Sequence, residues 1–215
     1  DFCHSFESSD LKDTYLNSQA MIDIAKTYKC DAIHPGYGFL SENASFASAC
    51  IENSISFIGP GPELISLMGD KIQAREAVEK IGIPLLHAYI NPTEKQLSKS
   101  LKEKDYPVLI KAAAGGGGRG MRIVYKQSEL KSALESASRE AESAFNDKTV
   151  YVERYLENCR HIEVQVLSDA HGNHLHLFER ECSIQRRHQK IIEESPSPAL
   201  SEKQRHEICN AALQI

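Results

Sequence analysis

Several things are missing from this 215-residue chain, and each absence removes a class of function. There is no excess of positive charge: 25 Lys and Arg against 30 Asp and Glu give a formal charge of −5. A nucleic acid is therefore not the expected partner. No apolar run is long enough to cross a membrane, and the first residues do not read as a signal peptide. The six cysteines (Cys3, Cys30, Cys50, Cys159, Cys182 and Cys209) are scattered with no CxxC spacing. They are expected to be reduced thiols of an intracellular protein rather than a disulfide framework or a zinc site. There is no internal repeat and no low-complexity tract. The chain also lacks an initiator Met and stops at Ile215, within a helix that reads as starting near Ser201, so it is expected to be a segment of something longer.

What is present is an unusual loop. Lys111-Ala-Ala-Ala-Gly115-Gly-Gly-Gly-Arg-Gly120-Met121 places four consecutive glycines between two apolar runs. Tyr106 to Lys111 and Met121 to Tyr125 read as short strands, so the glycines join a hairpin. Without Cβ atoms, successive N–H groups can converge on phosphate oxygens, and glycine reaches the positive φ values such a nest requires. A flap over a polyphosphate is the functional reading; a plain hairpin tip is the other. A P-loop is excluded, because Gly-Lys-Ser/Thr and a following helix are both absent. Two further motifs carry chemistry-bearing residues at high density: Glu179-Arg-Glu-Cys-Ser-Ile-Gln185-Arg-Arg-His188-Gln-Lys190-Ile-Ile-Glu-Glu194, and the turn-rich His34-Pro-Gly-Tyr-Gly-Phe-Leu-Ser-Glu-Asn43.

The periodicities predict the frame around these motifs. Helices are expected over 15–28 and 43–52, with strands at 32–33 and 55–58, the pattern of a small parallel α/β domain. Helices over 62–67 and 70–80 follow, the second with Asp70 as N-cap and Gly82 as stop signal. From Leu85 the expected order is strand, helix (93–104, with a Thr93-x-x-Gln96 capping box), strand, glycine loop, strand, helix (128–145) and strand (149–154). Residues 160–167 and 174–178 read as a β-hairpin around Asp169-Ala-His-Gly172.

The three motifs, in their order along the chain and with Met68-Gly-Asp-Lys71 and Val152-Glu-Arg-Tyr-Leu-Glu157, resemble the biotin carboxylase family of ATP-grasp enzymes. The resemblance covers essentially the whole chain. It implies α/β and α+β architecture: a partial N-terminal pre-ATP-grasp domain at 1–67, a linker at 68–84, the ATP-grasp lid at 85–155 and a truncated C-terminal ATP-grasp subdomain at 156–215. It also implies an ATP-dependent ligase that carboxylates biotin with bicarbonate through carboxyphosphate. The implied cofactors are ATP, Mg²⁺ and bicarbonate, with biotin as acceptor. Partners would be a biotin carboxyl carrier domain and a carboxyltransferase, with a homodimer of the complete enzyme, in the bacterial cytoplasm or the mitochondrial matrix. The Phe178–Glu194 stretch looks most like acyl-CoA carboxylase α chains, although pyruvate and urea carboxylases share much of it.

Residue by residue, the resemblance sets Lys71 and Lys111 on the nucleotide phosphates, although a surface lysine in the first turn of a helix fits Lys71 equally, and Gly115, Gly116, Gly117, Gly118 and Gly120 in the closing flap. Arg119 is left on the flap's surface. Glu153, Arg154 and Leu156 match the hinge at the adenine, where an ordinary strand end fits the alternation equally. His161 and Gln185 match polar positions beside the nucleotide, and Glu163 and His161, two apart, share a face of an extended chain. A purely structural hydrogen-bonded pair is the rival for these two. Lys190 matches the bicarbonate-contacting lysine, and His188, two residues before it, would share its side of an extended segment; Tyr37 and Gly38 match positions near the acceptor, where a structural turn is equally compatible.

The Mg²⁺ carboxylates of the family have no match before Ile215 and are expected beyond it; no metal ligand is assigned within the chain. Glu193 and Glu194 read as a solvated pair flanking a hinge. His171, His174 and His176 lack a Cys or carboxylate at zinc-site spacing. Two alternatives stand beside the resemblance. One is another carbon–nitrogen ligase of the class, such as a carbamoyl-phosphate synthetase half; the other is a fragment that binds ATP without chemistry.

Overall fold

A computed structural model describes residues 2–113, 121–186 and 189–215, which form two compact units, one ending at Ala74 and the other running from Arg75 to Ile215.

In the first unit α1 (Ser18–Thr27) is followed by β1 (Ala32–Ile33), α2 (Ala44–Glu52), β2 (Ser56–Phe57) and α3 (Pro62–Gly69), with α4 (Lys71–Lys80) beginning at its end. Helix α1 starts later than its periodicity suggests because the Asn17 side chain accepts from the Ala20 N–H and caps it there. Asn43 caps α2 in the same way, accepting from Phe46 at 2.8 Å. β1 and β2 pair in parallel, Ala32 opposite Ser56 and Ile33 opposite Phe57, as the β/α alternation implies. Ile22, Ala25, Leu40, Phe46, Cys50 and Ile55 close the core beneath them. Asp70 accepts from the N–H groups of Ile72 and Gln73, so the expected cap on α4 is present.

In the second unit the first sheet contains β3 (Ala88–Ile90), β4 (Val108–Ala112), β5 (Arg122–Val124) and β6 (Val150–Arg154), in the order β3-β6-β4-β5 and antiparallel throughout. Val108 lies opposite Val124, so the strands flanking the glycine loop form the expected hairpin. Two helices accompany them, α5 (Glu94–Ser100) and α6 (Leu130–Phe145). Side-chain alternation sends Val108, Ile110, Ala112, Val150 and Val152 into a core with Leu130, Leu134, Ala137 and Ala141 of α6. Leu109, Lys111, Tyr151 and Glu153 consequently face the other way.

Helix α5 has the expected Thr93–Gln96 capping box but ends four residues before Lys104. Leu101 turns extended, which carries it with Leu97 into the α6 core, and the Asp105 carboxylate takes the Lys102 N–H at 2.8 Å in place of a helical carbonyl.

The second sheet is a three-stranded antiparallel meander of β7 (Ile162–Ser168), β8 (His174–Arg186) and β9 (Gln189–Glu194), followed by α7 (Glu202–Gln214). The Asp169 turn is as expected: its carboxylate accepts from the N–H groups of His171 and Asn173. The hairpin, however, does not end at Phe178. β8 continues through the polar motif to Arg186, so Glu179 to Glu194 is itself a strand pair. Apolar alternation stops at Phe178, whose φ is +63°, but the strand survives because its polar side chains find charged partners. Leu167, Leu177, Ile184, Ile191 and Ile192 on these strands are each more than half exposed.

Candidate active site

Lys111 and Glu153 are charged residues inside apolar strands, and they meet. Leu109 lies opposite Glu153 and Lys111 opposite Tyr151, so Lys111 and Glu153 are diagonal neighbours across the β4–β6 ladder. Lys111 Nζ donates to Glu153 Oε1 at 2.5 Å, and Arg75 Nη1 of α4 donates to Oε2 at 3.2 Å. The Glu153 side chain is only 7% exposed, so this carboxylate is a buried anion shared by two cations. The Tyr151 ring forms the floor, with both cations 5.9 Å from its centroid. Burial pushes the Tyr151 hydroxyl up to about 12, with Glu153 adding to the shift and Arg75 opposing it.

A second ionic centre forms on the β7-β8-β9 sheet around Glu163. Arg180 Nη2 donates to Glu163 Oε2 at 2.9 Å, and Lys190 Nζ and His161 Nε2 both meet Oε1, the latter at 3.0 Å. Register explains the convergence: Glu163 is opposite Arg180, and Lys190 is opposite Gln185. Burial alone would raise the Glu163 carboxyl. Hydrogen bonds from Lys190 and Arg180, the Lys190 charge and the His161 contact outweigh it and hold the group down at about 2. The same bond to Glu163 raises Lys190. Gln185 Nε2 lies 3.0 Å from His161 Nδ1 and donates to the Cys182 carbonyl at 2.8 Å. An amide NH₂ only donates, so Nδ1 accepts and the ring proton sits on Nε2, facing Glu163.

Deeper in this sheet, Glu179 is fully enclosed and bound by Arg205 Nε at 2.7 Å and by the Ser197 N–H at 3.0 Å. In the first unit, Gly36 and Gly38 have φ of +69° and +77°, so the His34–Asn43 loop needs glycine at both positions. Between them Tyr37 projects into solvent, 99% exposed.

Comparison with known proteins gives the family of the chain. Residues 70–215 match the family described as carbamoyl-phosphate synthase L chain, ATP binding domain, and residues 2–65 match the biotin carboxylase N-terminal domain. The chain belongs to the biotin carboxylase family. Pyruvate carboxylase of Bacillus subtilis is 53% identical over 205 residues, covering 94% of this chain and 18% of that protein. Biotin carboxylase of Haemophilus influenzae is 47% identical over 209 residues, covering 94% of this chain and 47% of its own. The biotin carboxylase domain dimer of Hydrogenobacter thermophilus 2-oxoglutarate carboxylase, solved with MgADP, ADP and bicarbonate, superposes with a TM-score of 0.86 at 44% identity. That match covers 96% of this chain and 46% of the other. The chain thus spans less than half the length of the relatives it matches.

The structure brings some of the residues singled out in the sequence together and leaves others apart. Lys111 joins Glu153; His161, Glu163, Gln185 and Lys190 join one another; Tyr37 and Gly38 lie in the first unit, where Lys71 is the first residue of α4. Gly115 to Gly118, Arg119, Gly120 and His188 lie outside the described residues. His161 precedes β7 rather than lying within it, yet it and Glu163 are paired as their spacing suggests. Arg154 and Leu156 are exposed, and the Tyr155 N–H between them donates to the Pro107 carbonyl at 3.0 Å, tying this segment to the start of β4.

Two points differ from the sequence reading. Glu193 is not simply solvated: it lies 3.3 Å from Arg180 Nε, which adds a carboxylate of β9 to the Glu163 centre. The Glu153 side chain, and not only its backbone, has a defined place. Arg75 and Arg180 were not singled out by the sequence. The available signal was chemical: Lys111 and Glu153 interrupt apolar strands, and a charge in such a place needs a partner. Among the described residues no three His, Cys, Asp or Glu side chains converge as a metal site would, and His174 Nδ1 is bonded to Ser168 Oγ at 2.8 Å.

Proposed function

We propose that this chain supplies the nucleotide- and bicarbonate-binding part of an ATP-dependent biotin carboxylase within a biotin-dependent carboxylase. The observation that carries the reading is the convergence of His161, just before β7, with Glu163, Gln185 and Lys190 of three strands into one hydrogen-bonded centre. Membership of the family supports it. In this reading a bicarbonate oxygen attacks the γ-phosphorus of ATP, the bond to ADP breaks, and carboxyphosphate forms. Its carboxyl group then passes to N1 of biotin as the C–O bond to phosphate breaks, and the N1 proton leaves with the phosphate.

Each residue has a part. Lys71 and Lys111 neutralise phosphate charge as compact ammonium groups, beneath a flap formed by Gly115–Gly118 and Gly120. The backbone of the Glu153–Leu156 segment reads the adenine edge, and the Leu156 side chain, exposed in this chain, packs on the ring. His161 and Gln185 orient polar atoms beside the nucleotide. Lys190, with His188, binds bicarbonate; its ammonium is held in place by Glu163, whose lowered pKa keeps it anionic well below neutral pH. Tyr37 and Gly38 lie toward the biotin acceptor. Mg²⁺ would need hard oxygen ligands and would supply neutralisation of the polyphosphate; none of the described residues is assigned to it.

The domain plan that accompanies this reading is a partial N-terminal domain at 1–67, a linker at 68–84, the lid at 85–155 and part of the C-terminal subdomain at 156–215. A homodimer, a biotin carrier domain and a carboxyltransferase complete the system, and the transferase selects the acyl-CoA or keto-acid acceptor. The test is isotope transfer in a protein carrying this chain completed to the length of its relatives. Label from bicarbonate should enter carboxybiotin only with ATP and biotin both present; incorporation without ATP, or none at all, would overturn the reading.

A further inference from the structure

Arg75 belongs to none of the motifs, yet it is built into the Lys111 centre on three sides. Nη1 donates to Glu153 Oε2 at 3.2 Å, Nη2 donates to the Leu86 carbonyl, and the guanidinium lies 5.9 Å from the Tyr151 ring centroid. Its side chain is 22% exposed, which is little for an arginine.

The charges are unequal: two cations share one carboxylate. Were Lys111 and Glu153 alone, they would form a neutral pair. Lys111 could then turn to an anionic ligand only by abandoning a carboxylate that is 7% exposed, and stranding a buried charge is among the costlier events in a protein. With Arg75 on the other oxygen, Glu153 keeps a partner whatever Lys111 does, and the cluster carries one surplus positive charge. A planar guanidinium anchored by a backbone carbonyl and an aromatic face is suited to remain in place while a flexible lysine moves.

Resting on the reading that Lys111 meets the nucleotide phosphates, we propose that Arg75 is a positioning residue for phosphate binding. It holds Glu153 so that the Lys111 ammonium is free to engage the polyphosphate. Arg75 acts through the carboxylate and not by touching the nucleotide.

The experiment compares ADP with adenosine by calorimetry, in a protein carrying this chain completed to the length of its biotin carboxylase relatives. Arg75→Gln should weaken ADP binding about tenfold, one decade of affinity, and leave adenosine unaffected. Arg75→Lys should lose only about two- to fivefold, again for ADP alone, because one ammonium holds the carboxylate less well than the fork. The double variant Arg75→Gln/Glu153→Gln should regain ADP affinity to within about threefold of the parent, since no buried carboxylate is left to hold Lys111. Unchanged ADP binding by Arg75→Gln, equal losses for ADP and adenosine, or a double variant as weak as the single would each overturn the proposal. Should Arg75→Gln not fold, Arg75→Lys decides: a loss confined to ADP supports the role, and no loss or an equal one overturns it. If the parent protein itself binds no ADP, the functional reading fails and the proposal falls with it. If the parent binds ADP and the variants match it, this inference alone fails.

Discussion

Lys111 Nζ and Glu153 Oε1 lie 2.5 Å apart, diagonally across two antiparallel strands, on the sheet face opposite the α6 core. The pair turns a short apolar ladder into a charged surface and leaves a lysine poised at the edge of the glycine loop.

In the completed protein, Lys111→Ala should lower ATP-dependent turnover by at least about tenfold, the equivalent of about 1.4 kcal/mol of transition-state stabilisation. Steady-state kinetics with bicarbonate and biotin, alongside a thermal melt, provide the check. Full activity in a folded variant would remove Lys111 from the site.

Glu179 and Arg205 give a stability prediction. The Glu179 side chain has no exposed surface, and its Oε2 has no hydrogen-bond partner among the described residues, so Arg205 is its principal compensation. Arg205→Ala should destabilise the chain by about 3 kcal/mol, the scale expected when one member of a buried ion pair is removed. Urea unfolding would show this as a lowered midpoint with an unchanged slope; an unmoved midpoint would contradict it.

Acid should act through Glu163. Its folded carboxyl is held at about 2, whereas an unfolded glutamate titrates near 4.3, so between these values the unfolded chain takes up a proton that the folded chain refuses. The Glu163 contribution is therefore complete above about pH 4.5 and is lost as pH falls toward 2. Over that window Glu163→Gln should shallow the pH dependence of unfolding free energy by about one proton. An identical acid limb in both proteins would contradict the ion cluster.

Much of this was legible in the sequence because local rules and tertiary packing agree. Asp70, Thr93 with Gln96, and Ser201 with Gln204 each cap the helix they precede. Apolar runs on either side of the glycines specify the β4–β5 hairpin, and the His161–Glu163 spacing anticipates their contact. The failures occur where tertiary partners decide. Glu179 to Glu194 lacks apolar alternation, and it pairs as strands because Arg205 and Ser197 compensate its Glu179 and Glu181 carboxylates while its own Arg180 and Lys190 bind Glu163 of β7. Arg75 sits on an ordinary polar helix and gains its role only from a carboxylate 78 residues away.

Phosphate release with ATP, Mg²⁺, bicarbonate and biotin tests the central claim most directly, measured on the 215-residue chain and on a protein extended to the length of its relatives. The extended protein is predicted to release phosphate only with bicarbonate and faster with biotin, while the shorter chain, without the expected metal carboxylates, gives none. Hydrolysis by the extended protein that ignores bicarbonate and biotin would contradict the assignment; robust biotin-stimulated turnover by the shorter chain would show that the metal site lies within it.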